Sequence, residues 1–114
     1  MTTEMLLVWS TVADQETGLR LGRQLVEEQL VACVHLLPAG RSIYRWQGVV
    51  QEEQEWTLLI KTRSSLYPRL EERLRELHPY EVPEIVATAV VQAQADYLAW
   101  LTEMVVEPKE TGSA

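Results

Sequence analysis

Ser42-Ile43-Tyr44-Arg45-Trp46-Gln47-Gly48-Val49-Val50 places a glycine-bearing pair between two extended, partly aromatic and β-branched arms. Gly48 accepts positive φ without a Cβ clash, so Gln47-Gly48 closes a hairpin and the arms run antiparallel. Toward the N-terminus, Val31 to Leu37 is apolar, and Pro38-Ala39-Gly40 interrupts it. The reading is one long strand kinked near Gly40. Toward the C-terminus, the second arm carries Glu52, Glu53 and Glu55 and then Trp56-Thr57-Leu58-Leu59-Ile60. That change in polarity predicts a ribbon that protrudes at its tip and ends inside a sheet.

The flanking segments repeat one pattern on either side. Met5-Leu6-Leu7-Val8-Trp9 is apolar at both alternating parities, as a central strand buried on both faces requires. Asp14 offers an N-cap to a helix of about four turns, in which Leu19, Gly22, Leu25, Val26 and Leu30 recur at helical spacing. After the hairpin, Ser64 or Ser65 is expected to cap a second helix with Leu66, Leu70, Leu74 and Leu77 inward, and Pro79 to stop it. Ile85 to Val91 reads as a fourth strand and Asp96 to Met104 as a shorter third helix. The order β, α, β, β, α, β predicts an α+β ferredoxin-like plait with an extra C-terminal helix, both main helices covering one sheet face. The strands leave little polar parity for the other face, so a homo-oligomer is expected to cover it. Residues 1–106 read as one domain, and the charged, Pro- and Gly-bearing 107–114 as a disordered tail.

The bulk numbers exclude several roles. A chain of 114 residues with 46% apolar and 24% charged residues is of globular composition. Its net charge of -7 comes without any Lys or Arg run, which argues against nucleic acid and membrane surfaces as partners. The opening residues lack a basic leader pattern and no stretch reaches the roughly 20 apolar residues of a membrane span, so a cytoplasmic location is expected. The lone Cys33 forms no intrachain disulfide and rules out a Cys-rich zinc framework.

Ala32-Cys33-Val34 before Pro38, Ser42 through Gly48, Ile60-Lys61-Thr62-Arg63-Ser64, His78-Pro79-Tyr80-Glu81-Val82-Pro83-Glu84-Ile85 and Tyr97-Leu98-Ala99-Trp100-Leu101 together resemble the CutA family of divalent-cation tolerance proteins. The resemblance runs from about Met5 to Met104. It implies a ferredoxin-like homotrimer, similar in architecture to the PII signalling proteins, with clefts between subunits and an association with copper and other divalent cations. His35 departs from the pattern, since Asn is common in the family there.

Weighed residue by residue, the candidate metal ligands are Cys33, His35, His78, Glu81 and Glu84. Cys33 and His35 share a strand parity, about 6.6 Å apart along the backbone, and a thiolate with an imidazole suits copper(I) or zinc. The competing reading makes Cys33 a small core hydrophobe and His35 a hydrogen-bonding residue. His78 lies where a helix dipole favours the imidazolium, so a simple capping role also suffices. Pro79 and Pro83 stiffen the segment that presents Tyr80, Glu81 and Glu84, either as a recognition rim or as the entry to an edge strand.

The candidate ligand-binding residues are Tyr44, Trp46, Lys61, Arg63 and Tyr80. Lys61 and Arg63 are expected to bind an anion or, preferably, to pair with a neighbouring subunit's Glu52 or Glu53; Tyr44, Trp46 and Trp56 are expected to form an aromatic set across the hairpin. No Gly-rich phosphate loop, His-Glu-x-x-His or nucleophile elbow occurs, so catalysis, including hydrolysis at the clefts, is disfavoured. The expectation is a non-enzymatic trimeric binding protein for copper or another divalent cation, without an organic cofactor. The alternative is a PII-like signalling or scaffold trimer that binds a small metabolite or a protein partner.

Overall fold

The computed structural model describes residues 3–106. The expectation of a disordered tail over 107–114 lies outside the described residues. The elements run β1 (Met5–Val12), α1 (Gln15–Glu27), β2 (Cys33–Trp46), β3 (Val49–Arg63), a 3-10 turn (Ser64–Leu66), α2 (Tyr67–Leu77), β4 (Val86–Ala89) and α3 (Ala95–Met104). The strands form one sheet in the order β2-β3-β1-β4 with every neighbouring pair antiparallel. This is the ferredoxin-like plait, and β1 and β3 are its central strands.

Side-chain parity decides what each face does. Val8 and Val12 of β1 and Leu58 and Ile60 of β3 are fully buried against Leu21 and Leu25 of α1 and Leu70 and Leu74 of α2. The opposite parity of β1, Met5, Leu7, Trp9 and Thr11, is in register with Arg63, Lys61, Leu59 and Thr57 on the second face. At one end of that face, Met5, Leu7, Ala32 and Leu66 pack with Leu101 and Val105 of the α3 region. The chain thus covers part of its own second face, and the rest runs through His35, Leu59, Trp9 and Val86 in one register row.

α1 begins as its sequence requires: Asp14 Oδ1 accepts from the Thr17 N–H at 2.7 Å. Its buried stripe differs from the expected one. Gly18, Leu21, Gly22 and Leu25 are buried, whereas Leu19 and Val26 are exposed. The helix turns its glycines toward β2: an added Cβ at Gly22 would meet Val34 Cγ1 at 3.2 Å and Val34 Cβ at 3.3 Å. Close approach of helix and strand is the reason for glycine there.

The start of α2 also differs. Neither Ser64 nor Ser65 caps it through a side chain, because the chain first takes a 3-10 turn and α2 opens with Pro68 in its first turn. The Ser64 N–H instead donates to the Glu4 carbonyl at 2.6 Å. The fourth strand is shorter than Ile85 to Val91, since only Val86–Ala89 pairs with β1.

Gly40 to Trp46 and Val49 to Glu55 pair only with each other, beyond the end of β1 at Val12 and Trp56, and so form a projecting two-stranded ribbon. Its tip is a tight turn with φ of 50° at Gln47 and 80° at Gly48, the two left-handed residues of a type I′ hairpin. The kink near Gly40 is a β-bulge: the register shifts between Leu37, opposite Thr57, and Gly40, opposite Glu55. One extra residue on β2 exchanges the parities. Cys33, His35 and Leu37 before the bulge therefore share a face with Ser42, Tyr44 and Trp46 beyond it. Trp56 has the other parity and packs on the helix-side core. The expected three-residue aromatic set does not form.

Candidate functional site

The ribbon and the His78 to Glu84 loop enclose a groove of about 700 Å³. One bank is the ribbon, with Ser42, Tyr44, Trp46, Gln51, Glu53 and Glu55; the other is the loop, with Tyr80, Glu81, Val82 and Glu84. Four of the twelve lining residues are glutamates and none is basic, so the groove has a strongly negative field.

His78 holds the loop bank in place. Its side chain is buried, Nε2 lies 2.8 Å from the Thr11 carbonyl oxygen, and Nδ1 accepts from the Tyr80 N–H at 3.1 Å. These partners require the neutral ring with its proton on Nε2, donating to Thr11. Burial holds its pKa below the ordinary histidine value, against the opposing pull of the Thr11 carbonyl and the Glu55 carboxylate. The ring at the helix end is therefore neutral and not the expected imidazolium, because Nδ1 accepts from the Tyr80 N–H and burial disfavours the charged form. His78 is an anchor with both ring nitrogens engaged within the chain.

Tyr80 crosses the groove. Its hydroxyl donates to Glu55 Oε2 at 2.7 Å, and its ring packs against His78 with centroids 4.7 Å apart. Burial, then the hydrogen bond to the anionic Glu55, pushes its pKa well above the ordinary tyrosine value. Tyr44 is likewise raised, first by its hydrogen bond to Glu53. Both phenols stay protonated as donors to ribbon carboxylates.

The remaining predicted residues lie elsewhere. Cys33 and His35 begin β2, with Cys33 partly buried opposite Lys61 and His35 exposed opposite Leu59. Lys61 is six residues along β3 from Glu55, about 20 Å at strand rise, so Cys33 does not reach the groove within one chain. Lys61 Nζ sits 5.6 Å from the Tyr97 ring centroid, and Arg63 Nη2 pairs with Glu4 at 2.9 Å. Glu52 pairs with Arg41 of its own strand pair at 2.8 Å. Among the described residues no three His, Cys, Asp or Glu side chains are grouped to hold one metal ion. The described residues of one chain therefore present no closed divalent-cation site, which needs several donors converging at one point.

The loop residues Tyr80, Glu81 and Glu84 and the ribbon residues Tyr44 and Trp46 are thus brought together. Glu53, Glu55, Gln51 and Thr11 complete the groove. Sequence reading passes over Glu55 as a site residue because only the β2 bulge, which puts Tyr44 and Trp46 on the same face as Glu55, and the contact with Tyr80 bring these residues together.

Fold and groove together define a ferredoxin-like α+β protein whose ribbon and pre-β4 loop frame an acidic, aromatic groove. Residues 6–104 match the profile of the CutA1 divalent ion tolerance protein family, and the chain belongs to that family. It is 48% identical over 100 residues, 88% of this chain and 95% of the relative, to the divalent-cation tolerance protein CutA of Thermus thermophilus. It is 39% identical to Protein CutA of Mus musculus over 91% of this chain but only 59% of that longer protein. Among solved structures, CutA1 from Oryza sativa superposes with a TM-score of 0.89 at 39% identity, covering 93% of this chain and 97% of the other. Among the described residues, no helix is long and apolar enough to cross a membrane.

Proposed function

We propose that the protein is a non-enzymatic binding protein that works as a homotrimer and takes a divalent cation, copper among them, in clefts between subunits. The observation that carries this reading is the groove between ribbon and loop, lined by Glu53, Glu55, Glu81 and Glu84. Because the described residues of one chain do not converge three donors on an ion, the reading has a second copy complete the site. The second sheet face supports the assembly: Val86 at its β4 edge is 50% exposed, beside partly exposed Trp9 and Leu59. The ribbon tip adds Ile43, Val49 and Val50, each more than half exposed. Burying such side chains between copies is worth about 25 cal/mol per Å². Cys33 and His35, on the same face, are the soft donors that such an assembly would draw toward a cation. The PII-like alternative, a small anionic metabolite at Lys61 and Arg63, has less support, since Arg63 already pairs with Glu4.

The test has two arms. Sedimentation at micromolar concentration should give a mass of three subunits; a single-subunit mass defeats the assembly. Calorimetric titration with Cu, Zn and Cd should show saturable binding that weakens in Cys33→Ala with His35→Asn, or in Glu81→Gln with Glu84→Gln. Weak affinity unchanged by either pair defeats the metal reading.

A further inference from the structure

We propose that the groove between ribbon and loop takes an elongated organic cation, a linear diamine or polyamine, in addition to or in place of a bare metal ion. This inference rests on the preceding reading only in using the same groove as a binding site. A divalent ion needs its oxygens at about 2.0–2.6 Å from one point. Here the carboxylates stand on two banks, Glu53 and Glu55 on the ribbon and Glu81 and Glu84 on the loop, and among the described residues no three His, Cys, Asp or Glu side chains meet. An ion at either bank leaves the other bank's charge uncompensated.

What lies between the banks is aromatic. Tyr44, Trp46 and Tyr80 line the same groove, and Tyr80 is fixed there from both sides, by Glu55 at its hydroxyl and by His78 at its backbone and ring. Aromatic faces attract ammonium groups through the ring quadrupole and cover their methylene spacers by apolar contact. A bare, strongly hydrated metal ion uses neither. A chain with a cationic nitrogen at each end and methylenes between them matches two carboxylate banks separated by rings. No basic side chain lines the groove, so its carboxylates meet only neutral phenol donors there, Tyr80 at Glu55 and Tyr44 at Glu53, and their charge is left uncompensated. A volume of about 700 Å³ accommodates such a ligand with its remaining water.

The experiment titrates the intact protein with putrescine and spermidine and, in parallel, with Cu, Zn and Mg ions at physiological ionic strength, followed by calorimetry and tryptophan fluorescence. Spermidine should bind saturably and more tightly than putrescine. Glu84→Gln should weaken it about tenfold, as the loss of one charge-assisted contact. Tyr44→Leu should weaken it severalfold; Tyr44 is 38% exposed, so the fold is kept. Circular dichroism confirms that. Spermidine binding matched by Mg and insensitive to Tyr44→Leu would be plain counterion attraction and overturns the proposal. Saturable Cu or Zn binding without spermidine binding also overturns it, while leaving the divalent-cation function intact. Spermidine binding without metal binding supports it and removes the metal reading; binding of neither removes both.

Discussion

The Tyr80 hydroxyl donates to Glu55 Oε2 at 2.7 Å, tying the loop before β4 to the base of the hairpin ribbon across twenty-five residues of sequence. Two elements that are not paired in the sheet are thereby held together across the groove. Because the acceptor is a charged carboxylate and the donor is half-buried, the bond is stronger than one between neutral, solvated groups.

Tyr80→Phe keeps the ring on His78 and removes only this bond. The expected loss is about 1.5–3 kcal/mol, the usual net worth of a hydrogen bond to a charged group, read as a lower midpoint in urea with an unchanged slope. Amide hydrogen exchange should speed up over Pro79 to Glu84 more than over α1. An unchanged midpoint together with unchanged exchange would mean that the loop is held by its prolines alone.

His78 makes a pH prediction. Its folded pKa lies below the ordinary value of 6.5, mainly through burial, so in the interval between the two the unfolded chain binds the additional proton. The stabilisation is therefore complete above about pH 6.5 and is lost as the pH falls through the folded pKa, with a slope of at most about 1.4 kcal/mol per pH unit. Asp14 and Glu28, whose pKa values are lowered by hydrogen bonds from Thr17 and Arg73, add their losses only in the more acidic carboxylate range. Thermal midpoints measured between pH 7.5 and 5 should fall in the native protein and fall less steeply in His78→Gln, which keeps a donor for the Thr11 carbonyl. Equal slopes would assign the effect to other groups.

The ribbon, the two helices and the β1 core are legible in the sequence because each has a local cause: Gly48 for the turn, Asp14 for the cap, Leu70 and Leu74 for the buried stripe. Face assignments beyond Leu37 are not legible. Whether Pro38-Ala39-Gly40 bends the strand or inserts one residue into it determines where every later side chain of β2 points, and only pairing with β3 decides that. Tyr44 and Trp46 were within reach of sequence reading as a pair, but their partners Glu53 and Glu55 needed the register. The sequence reads His78 as a helix-end cation because the α2 dipole is local, whereas its burial against Thr11 comes from β1, sixty-seven residues earlier.

Gly22 gives a test of helix packing. Replacing a mid-helix glycine ordinarily stabilises a helix by up to about 1 kcal/mol, but Gly22 faces Val34 with no room to spare. Gly22→Val should cost about 2 kcal/mol or more by overpacking a stiff β-branched contact. In a double-mutant cycle, Val34→Ala should be less destabilising in the Gly22→Val background than in the native one, because the added methyls refill the space. Additive effects would place the strain elsewhere.

Ser10 supplies the opposite case, a polar group that the fold tolerates without using. It lies on β1 between the core residues Val8 and Val12, opposite Leu58, and is completely buried. Its Oγ has no hydrogen-bond partner among the described residues, unlike the buried Thr62 of β3, whose hydroxyl donates to the Leu30 carbonyl at 2.7 Å. A buried hydroxyl without a partner carries a desolvation penalty of about 1–3 kcal/mol, while the cavity left by one oxygen atom is small. Ser10→Ala should therefore be neutral to stabilising, by up to about 1 kcal/mol. Thr62→Ala should be destabilising, since it strands the Leu30 carbonyl and removes a packed methyl. Chemical denaturation of both variants decides the matter through the sign of the difference: a destabilised Ser10→Ala would show that the hydroxyl is satisfied in solution, and the core around β1 would then be polar by design of its packing rather than by tolerance.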